Sequence, residues 1–354
     1  MMPTPYETHR AQIEAILRAW GMPAANAART ADVMGWADLN GVDSHGMSML
    51  TVYDERRRDG RLDMQAEPRI LTETLVSALI DGGGGLGHVP ARFAMETAIG
   101  KARQSGIAVC AVRNSAHFGA TGYYTNMAAE TGLIGMAATS AAGVQVAPTF
   151  GAEAKLGTDP WSFAAPARPG EPFLLDMATT TVAAGKIRNK ANEGVPLPPG
   201  WVVTKEGRPS TDPTENQKGG FLTPLGGTPE GSNYKGYGLS AMVNILSAAL
   251  SGATLITDPM HMKKPQGMDI GHFFLVLDPG LFRAAEDFRA DVAGFCDALR
   301  ATKPVDPAQR VMVAGDPQRL MAAERAVTGI PVGSNLLHKV RSIAQAAGAP
   351  WLLD

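Results

Sequence analysis

The stretch "DGGGGLGHVPARF", residues 81–93, decides how the centre of this chain is read. It matches G-x-G-x-x-G as Gly82, Gly84 and Gly87. An apolar run at 75–80 precedes it. "VPARFAMETAIGKARQSG" follows with helical spacing and a proline in its first turn. Strand, glycine turn and helix in this order cradle a pyrophosphate when the helix N-terminus and the turn's N–H groups face it. The fingerprint also requires an acid at the end of the next strand, to bond ribose hydroxyls. That strand, "IAVCAVR", ends instead at Arg113. Four adjacent glycines satisfy the pattern easily, so the residues favour a plain turn that closes a hairpin or starts a helix. Both readings stay open at this point.

Working outward, residues 7–40 read as two helices, broken at Trp20, Gly21, Met22 and Pro23. "DSHGM", 43–47, lies at a helix-to-loop junction, and "LTVYDERRRDG" is a helix ending at Gly60. From about residue 68 the texture changes. "RILTETLVSALIDG" alternates as strands do, and "IAVCAVRNS", "LIGMAATSAA", "PFLLDMATT" and "GHFFLVLDP" are apolar strands. "TGYYTNMAAETG" is a helix, and "GYGLSAMVNILSAALSG" is expected to be the longest one. After Asp278-Pro279 the chain turns helical again. This order predicts an α/β protein in which both chain ends, 1–68 and 284–354, form one helical domain around an inserted α/β domain, 69–283.

The 354 residues suit two domains or one large one, and 45% hydrophobic residues support a sizeable core. A net charge of -2 offers no basic surplus for nucleic acid. The amphipathic start lacks the apolar region of a signal peptide. The greasiest stretch, 236–256, is interrupted by Ser240, Asn244, Ser247 and Ser251, and reads as a core helix rather than a membrane span. Two isolated cysteines, Cys110 and Cys296, build neither a zinc knuckle nor a disulfide framework, so a reducing cytoplasm is expected.

Seven histidines (His9, His45, His88, His117, His261, His272 and His338) show no metal-ligand spacing. His9 and His338 read as helix-surface residues, and His272 as a packed or capping residue at a strand start. Two stand apart. His45, in "GVDSHGM", and His117, in "RNSAHFGATGYY", sit among Ser and Gly at the ends of regular segments. An imidazole there can exchange a proton with a hydroxyl or carbonyl, or simply bond a turn. Ser44 beside His45 makes no hydrolase triad, because no G-x-S-x-G elbow exists. Asp176 ends an apolar strand, where a carboxylate must find donors or face a cleft. Thr179, Thr180 and Thr181 lead towards a helix and suit a phosphate or an ordinary cap. Lys155 and Lys235 are further candidates, Lys235 for neutralising a phosphate.

Six segments, "ADLNGVDSHGM", "RNSAHFGATGYY", "LGTDPWSFAAP", "PFLLDMATTTVAAGKI", "PPGWVVTKEGRPSTDP" and "YKGYGLSAMVNILSAALSGA", resemble the malate/L-lactate dehydrogenase-like family in order and spacing. That family also holds sulfolactate, ureidoglycolate and diketogulonate oxidoreductases and reductases of cyclic imino acids. The resemblance covers roughly residues 11–329. It implies a non-Rossmann cofactor fold with a large mixed sheet, NAD or NADP as cofactor, and a homodimer with active sites near the subunit interface. It also implies that "DGGGGLGH" is a turn and that the dinucleotide lies elsewhere. By position, cofactor contacts fall on Ser140, on Asp176, Met177, Ala178 and Thr179, and on Lys235. His45 and His117 match the two acid/base histidines, with His45 ranked first; Ser44 is their polar neighbour and Tyr53 a substrate-facing tyrosine.

Three departures accompany the resemblance. Many relatives place an arginine for a substrate carboxylate where this chain has Met49, and a thioether makes no bidentate ion pair. Lys155, Arg188 and Lys190 are the candidate replacements. Relatives commonly read G-T-N-P where this chain has Asp159, and P-G-E-R where it has "AGDPQR", which leaves Asp316 as the candidate cofactor contact there. The implied activity is hydride transfer between a nicotinamide and a small 2-hydroxy or 2-oxo acid, with histidine as general acid/base. The alternatives are reduction of a cyclic imino acid such as piperideine- or pyrroline-2-carboxylate, and an inactive homologue that only binds a small acid or cofactor.

Overall fold

A computed structural model describes residues 3–141, 143–258 and 268–353. Helices α1 (Tyr6–Ala19), α2 (Ala24–Leu39) and α3 (Leu50–Arg58) come first. Then follow β1 (Arg69–Glu73), β2 (Ser77–Asp81), α4 (His88–Ser105), β3 (Ile107–Ser115), α5 (Thr121–Glu130), β4 (Ile134–Thr139), β5 (Trp161–Arg168) and β6 (Glu171–Met177). Next come α6 (Ala184–Glu193), the short strands β7 (Val202–Val203), β8 (Pro209–Ser210) and β9 (Phe221–Leu222), then α7 (Tyr234–Asn244) and β10 (Ile270–Leu277). Helices α8 (Ala285–Arg300), α9 (Asp316–Thr328) and α10 (Ser334–Ala347) complete the described chain.

The main sheet has seven strands in the order β1-β2-β3-β10-β4-β5-β6. Only β2 and β3 pair in parallel; the other neighbours are antiparallel. Because β10 reverses between β3 and β4, and β5 between β4 and β6, strands β2, β3, β4 and β6 all point the same way. Their C-terminal ends therefore share one edge of the sheet, where β5 and β10 begin. Ligands of α/β sheets collect at such edges.

One face is covered by α4 and α5, through Ala94, Ala98, Tyr124 and Ala128 against Val112, Phe274 and Val276. The other carries α7, with Val243 packed against Ala138 and Phe273. The chain ends meet as the sequence suggests. Ile13, Ile16, Leu17, Met34 and Leu50 share a core with Val340, Ala344 and Leu353. Thr4 and Ile330 exchange backbone hydrogen bonds of 3.0 and 2.7 Å. That core also takes in Ala116 and Ile270 from the sheet edge, so the helical part is seated on the end of the strands.

Four sequence expectations change. β5 was not foreseen; Pro166 interrupts its pattern, and a register shift between Ala165 and Arg168 accommodates it. α8 packs on β5, which puts it with the sheet rather than with the terminal helices. α7 stops at Asn244 and continues as one π-helical turn, Ile245–Ala249, so α4 with 18 residues is longer. The wider turn brings the Ser247 carbonyl against Gly271, where a Cβ would lie 2.0 Å from it. His9, read as a surface residue, is buried.

The glycine run joins β2 to α4 and leads to the parallel strand β3, so the topology of a nucleotide fingerprint is present. Its donors are not. Gly82 and Gly84 donate to the carbonyls of Arg113 and Asn114, both at 2.8 Å, and Gly87 to that of His117 at 3.1 Å. Gly83 donates to Asp81 Oδ1 at 2.8 Å and Gly85 to the Gly82 carbonyl at 3.3 Å. Every glycine N–H in the turn is engaged within the protein, and none faces outward to hold a pyrophosphate. The run instead extends the β2–β3 pairing as far as His117.

Candidate active site

His117 leaves the end of β3 on a loop tied to that turn. Gly87 is obligatory in this packing, since a Cβ there would meet the Ala116 carbonyl at 2.1 Å. The Tyr53 hydroxyl, from α3, lies 2.7 Å from His117 Nδ1, and the Gly119 N–H points at the same nitrogen at 3.4 Å. Tyr53 is fully buried, which pushes its phenol above the ordinary range and keeps it an O–H donor.

His45 arrives from the opposite side, on the loop between α2 and α3. Asp38 holds that loop: its Oδ2 accepts the Met47 N–H at 2.7 Å and pairs with His9 Nε2 at 2.6 Å. Arg325 of α9 grips Asp43 through Nη1 and Nη2 and also donates to the Asp38 carbonyl. The C-terminal helices thus fix a loop 282 residues away in sequence. Gly46 sits against Asp38, and a Cβ there would lie 1.9 Å from Oδ1. Gly46→Ala is therefore expected to destabilise the fold by about 1–3 kcal/mol by overpacking and to displace His45. Denaturant unfolding and turnover measured side by side test this.

The two imidazoles stack, with ring centroids 5.4 Å apart and planes inclined by 28°. Ser44, exposed, places its Oγ 2.8 Å from His45 Nδ1. Burial holds His45 below the usual imidazole value. His117 lies well below it, first through burial and then through His45, His88, Arg56 and His272. His88 and His272 are fully buried, and burial brings each down to about 3. His272, as expected from sequence, is a packed residue, between Ser115 Oγ (2.8 Å) and Thr139 Oγ1 (2.7 Å). Neither ring nitrogen of His88 has a partner among the described residues. His88 meets the Tyr53 ring edge-on at 5.6 Å.

Asp176, half-buried near the end of β6, accepts the Gly122 N–H at 2.7 Å on Oδ2. Gly122 is in the first turn of α5, which starts four residues after His117, so one loop links the carboxylate to the histidine pair. Burial pushes Asp176 up to about 6. Met177 and Ala178 follow it, half-buried. Lys235 is exposed at the start of α7 and has no ion-pair partner among the described residues. It is carried towards this loop, because Gly236 packs on the Leu225 backbone and Leu225 donates to the Thr179 carbonyl at 2.9 Å.

Other candidates are placed differently. Ser140 is on the same sheet edge but buried, with its Oγ accepting the Gly271 N–H at 3.3 Å. The hydroxyls of Thr179, Thr180 and Thr181 donate to the carbonyls of Thr158, Val182 and Pro224, so they brace loops instead of awaiting a phosphate. Met49 packs against the helical core. Lys155 pairs with Glu153 at 2.8 Å and Lys190 with Glu193 at 3.1 Å, all on the surface. The side chain of Arg188 and all of His261 lie outside the described residues.

Asp316 follows a loop that bonds β6: the Leu174 N–H donates to the Ala314 carbonyl at 3.2 Å, two residues before Asp176. Asp316 begins α9, bonds Arg300 through Nε and Nη2 at 2.8 Å each, and shares Arg319 with Glu171. Glu171 opens β6, so Arg319 ties the start of α9 to the start of that strand. Asp159 is buried at φ 34° and accepts from Ala141 N (2.9 Å), Gly157 N (3.0 Å) and Ser240 Oγ (2.6 Å). Three donors around one side chain suit a carboxylate, and Asp tolerates the left-handed backbone. It ties the loop after β4 to α7.

The family model for malate/L-lactate dehydrogenase matches residues 4–341. The chain belongs to this family. Malate dehydrogenase of Pyrococcus horikoshii is 38% identical over 338 residues, 95% of this chain and 93% of that protein. The crystal structure of malate dehydrogenase from Entamoeba histolytica superposes with a TM-score of 0.93 at 30% identity, covering 99% of each chain. The structure of delta1-piperideine-2-carboxylate reductase from Pseudomonas syringae superposes with a TM-score of 0.85 at 27% identity, covering 97% of this chain and 100% of that one. Membership of the malate/L-lactate dehydrogenase family makes the stacked histidines at the sheet edge the place to look for chemistry. Sequence reading missed the supports of this site: His9, Asp38, Arg56, His88 and Arg325. Each lies in an ordinary helical pattern, and only the fold brings them to the two loops.

Proposed function

We propose that this chain is an NAD(P)-dependent oxidoreductase that moves hydride between a nicotinamide and the 2-carbon of a small 2-hydroxy or 2-oxo acid. The observation that carries the reading is the asymmetric hydrogen bonding of the stacked pair. His117 Nδ1 is faced by two donors, Tyr53 O–H and Gly119 N–H, so its proton belongs on Nε2 and the ring stays neutral. His45 Nδ1 faces a hydroxyl, which can donate or accept, so His45 serves in both protonation states. His45 is then the group that gives a proton to the developing alkoxide and takes it back in oxidation. Neutral His117 donates a hydrogen bond to the same oxygen.

The residues near Asp176 fit the cofactor. Asp176 Oδ1 has no partner among the described residues, which suits a hydroxyl or amide donor. Lys235, with no ion-pair partner among the described residues, offers its ammonium to a phosphate. Bound there, a nicotinamide nucleotide supplies or accepts the hydride. Met177 and Ala178 follow Asp176 along the same loop. The test is a panel of 2-oxo acids with NADH and with NADPH, followed by loss of the reduced ring's near-ultraviolet absorbance. Failure to oxidise either nucleotide with any substrate leaves only a binding role.

Likeness to the piperideine-carboxylate reductase supports a second reading, reduction of a cyclic imino acid. His45 then protonates nitrogen in place of oxygen, so cyclic imines belong in the panel. The homodimer fits an exposed apolar strip on α7 and its π turn, formed by Tyr234, Tyr237, Ile245 and Leu250. Ile245→Glu is expected to shift the protein from dimer to monomer in light scattering. An unchanged mass would move the interface elsewhere.

A further inference from the structure

The loss of an arginine at Met49 leaves a 2-oxo acid without an obvious anchor for its carboxylate. The helix that follows supplies one. Residues 56–58 read Arg-Arg-Arg, and Arg61 comes soon after. Arg57 and Arg58 share Asp54, at 2.8 and 3.0 Å, and Arg57 also lies over the Trp20 ring. Arg61 pairs with Asp59 at 2.6 Å. Among the described residues Arg56 pairs with no acid, and its Nη1, shielded from water, has no hydrogen-bond partner there. Arg56 is one turn beyond Tyr53 on α3, so the two share a helix face, and the Tyr53 hydroxyl is 2.7 Å from His117.

We infer that Arg56 is the residue that binds the substrate's carboxylate, in place of the arginine missing at position 49. This rests on the proposed 2-oxo acid chemistry and holds equally for a cyclic imino acid, whose carboxylate also adjoins the reacting carbon. A guanidinium nitrogen shielded from water and without a partner is unfavourable until an acceptor arrives. Arg56 is the one permanently charged group among those that lower the proton affinity of His117, which places its positive charge within reach of the histidine pair. A guanidinium grips a carboxylate with two parallel N–H···O bonds and orients the carbonyl beside it towards the histidines.

The experiment uses the best 2-oxo acid of the panel and its primary amide, with the full-length protein and its Arg56→Gln, Arg56→Lys and Arg58→Gln variants. Arg56→Gln is expected to raise KM for the acid on the order of 10²-fold, with a smaller change in kcat. Arg56→Lys recovers part of the loss. The unsubstituted protein prefers acid to amide strongly, and Arg56→Gln loses that preference. Arg58→Gln, on the exposed side, leaves KM unaltered. A merely structural role would lower acid and amide alike, and retention of the preference in Arg56→Gln overturns the inference. Should that variant not fold, Arg56→Lys decides by the same ratio, which must fall. An unsubstituted protein that turns over no acid fails the proposed function itself; turnover with an indifferent Arg56→Gln fails only the role of Arg56.

Discussion

Replacing His45 with Ala lowers kcat by about 10²- to 10⁴-fold, the usual worth of a positioned general acid/base. The fold survives, because the loop is held by Asp38 and Arg325, not by the ring. Nucleotide binding survives too, because Asp176 and Lys235 are untouched. The pH profile separates this role from a structural one. Burial sets the His45 pKa below its ordinary 6.5. Oxidation needs the neutral ring, so its rate rises through that lowered pKa and is flat by neutral pH. Reduction needs the imidazolium, so its rate falls as pH rises through the same value. Both limbs disappear in His45→Ala. His117→Ala also slows turnover, yet it leaves the limbs in place, because they belong to His45, while burial holds His117 well below the ordinary imidazole value. Near-normal rates in both variants, or limbs that persist without His45, would remove the acid/base assignment.

The second large effect is on stability in acid. His88 and His272 are buried, and each ring's pKa drops from 6.5 to about 3 on folding. The unfolded chain therefore binds more protons than the folded one between these limits. Stability is full above pH 6.5 and is lost progressively as pH falls towards 3. At about 1.4 kcal/mol per unit, each ring contributes a loss of several kcal/mol, against a total of about 5–15 kcal/mol for a folded domain. Asp176 acts in the opposite sense. Its pKa is raised from 3.8 to about 6, so its protonation favours the fold as pH drops below 6, over a narrower span. The net expectation is a steep fall of the urea midpoint between pH 6.5 and 4. His88→Leu removes one ring with two unpartnered nitrogens and should flatten that fall while raising the midpoint at low pH. A midpoint that ignores pH, or a His88→Leu variant as acid-sensitive as the parent, would refute this account.

Much of the fold is written locally. The alternation through 68–82, the apolar runs of β3, β4, β6 and β10 and the helical spacing around them are one-dimensional signals, and the elements appear where they point. The lapse at β5 has a local cause as well, since Pro166 breaks the run and the bulge that absorbs it leaves no trace in composition. At the site, the loops of His45 and His117 stand out because glycine and serine flank an ionisable ring. His9 did not, because its partner Asp38 is 29 residues away. Arg56 did not, because an unpaired arginine looks in sequence like its paired neighbours. The ion pair of Asp316 with Arg300 was not legible either, because α8 and α9 meet only in the fold.

The sequence by itself determined the kind of elements, the meeting of the chain ends and the two histidine loops, because hydrophobic period and turn chemistry act over a few residues. It favoured a plain turn at the tetraglycine run without showing what that turn does. That depended on where its N–H groups point, and the carbonyls of Arg113, Asn114 and His117 that receive them are brought there only by the parallel pairing of β2 with β3. The proposed division of labour between His45 and His117 likewise draws on the tertiary structure, because the Tyr53 hydroxyl that faces His117 Nδ1 arrives from α3, whereas the partner of His45 is its neighbour Ser44.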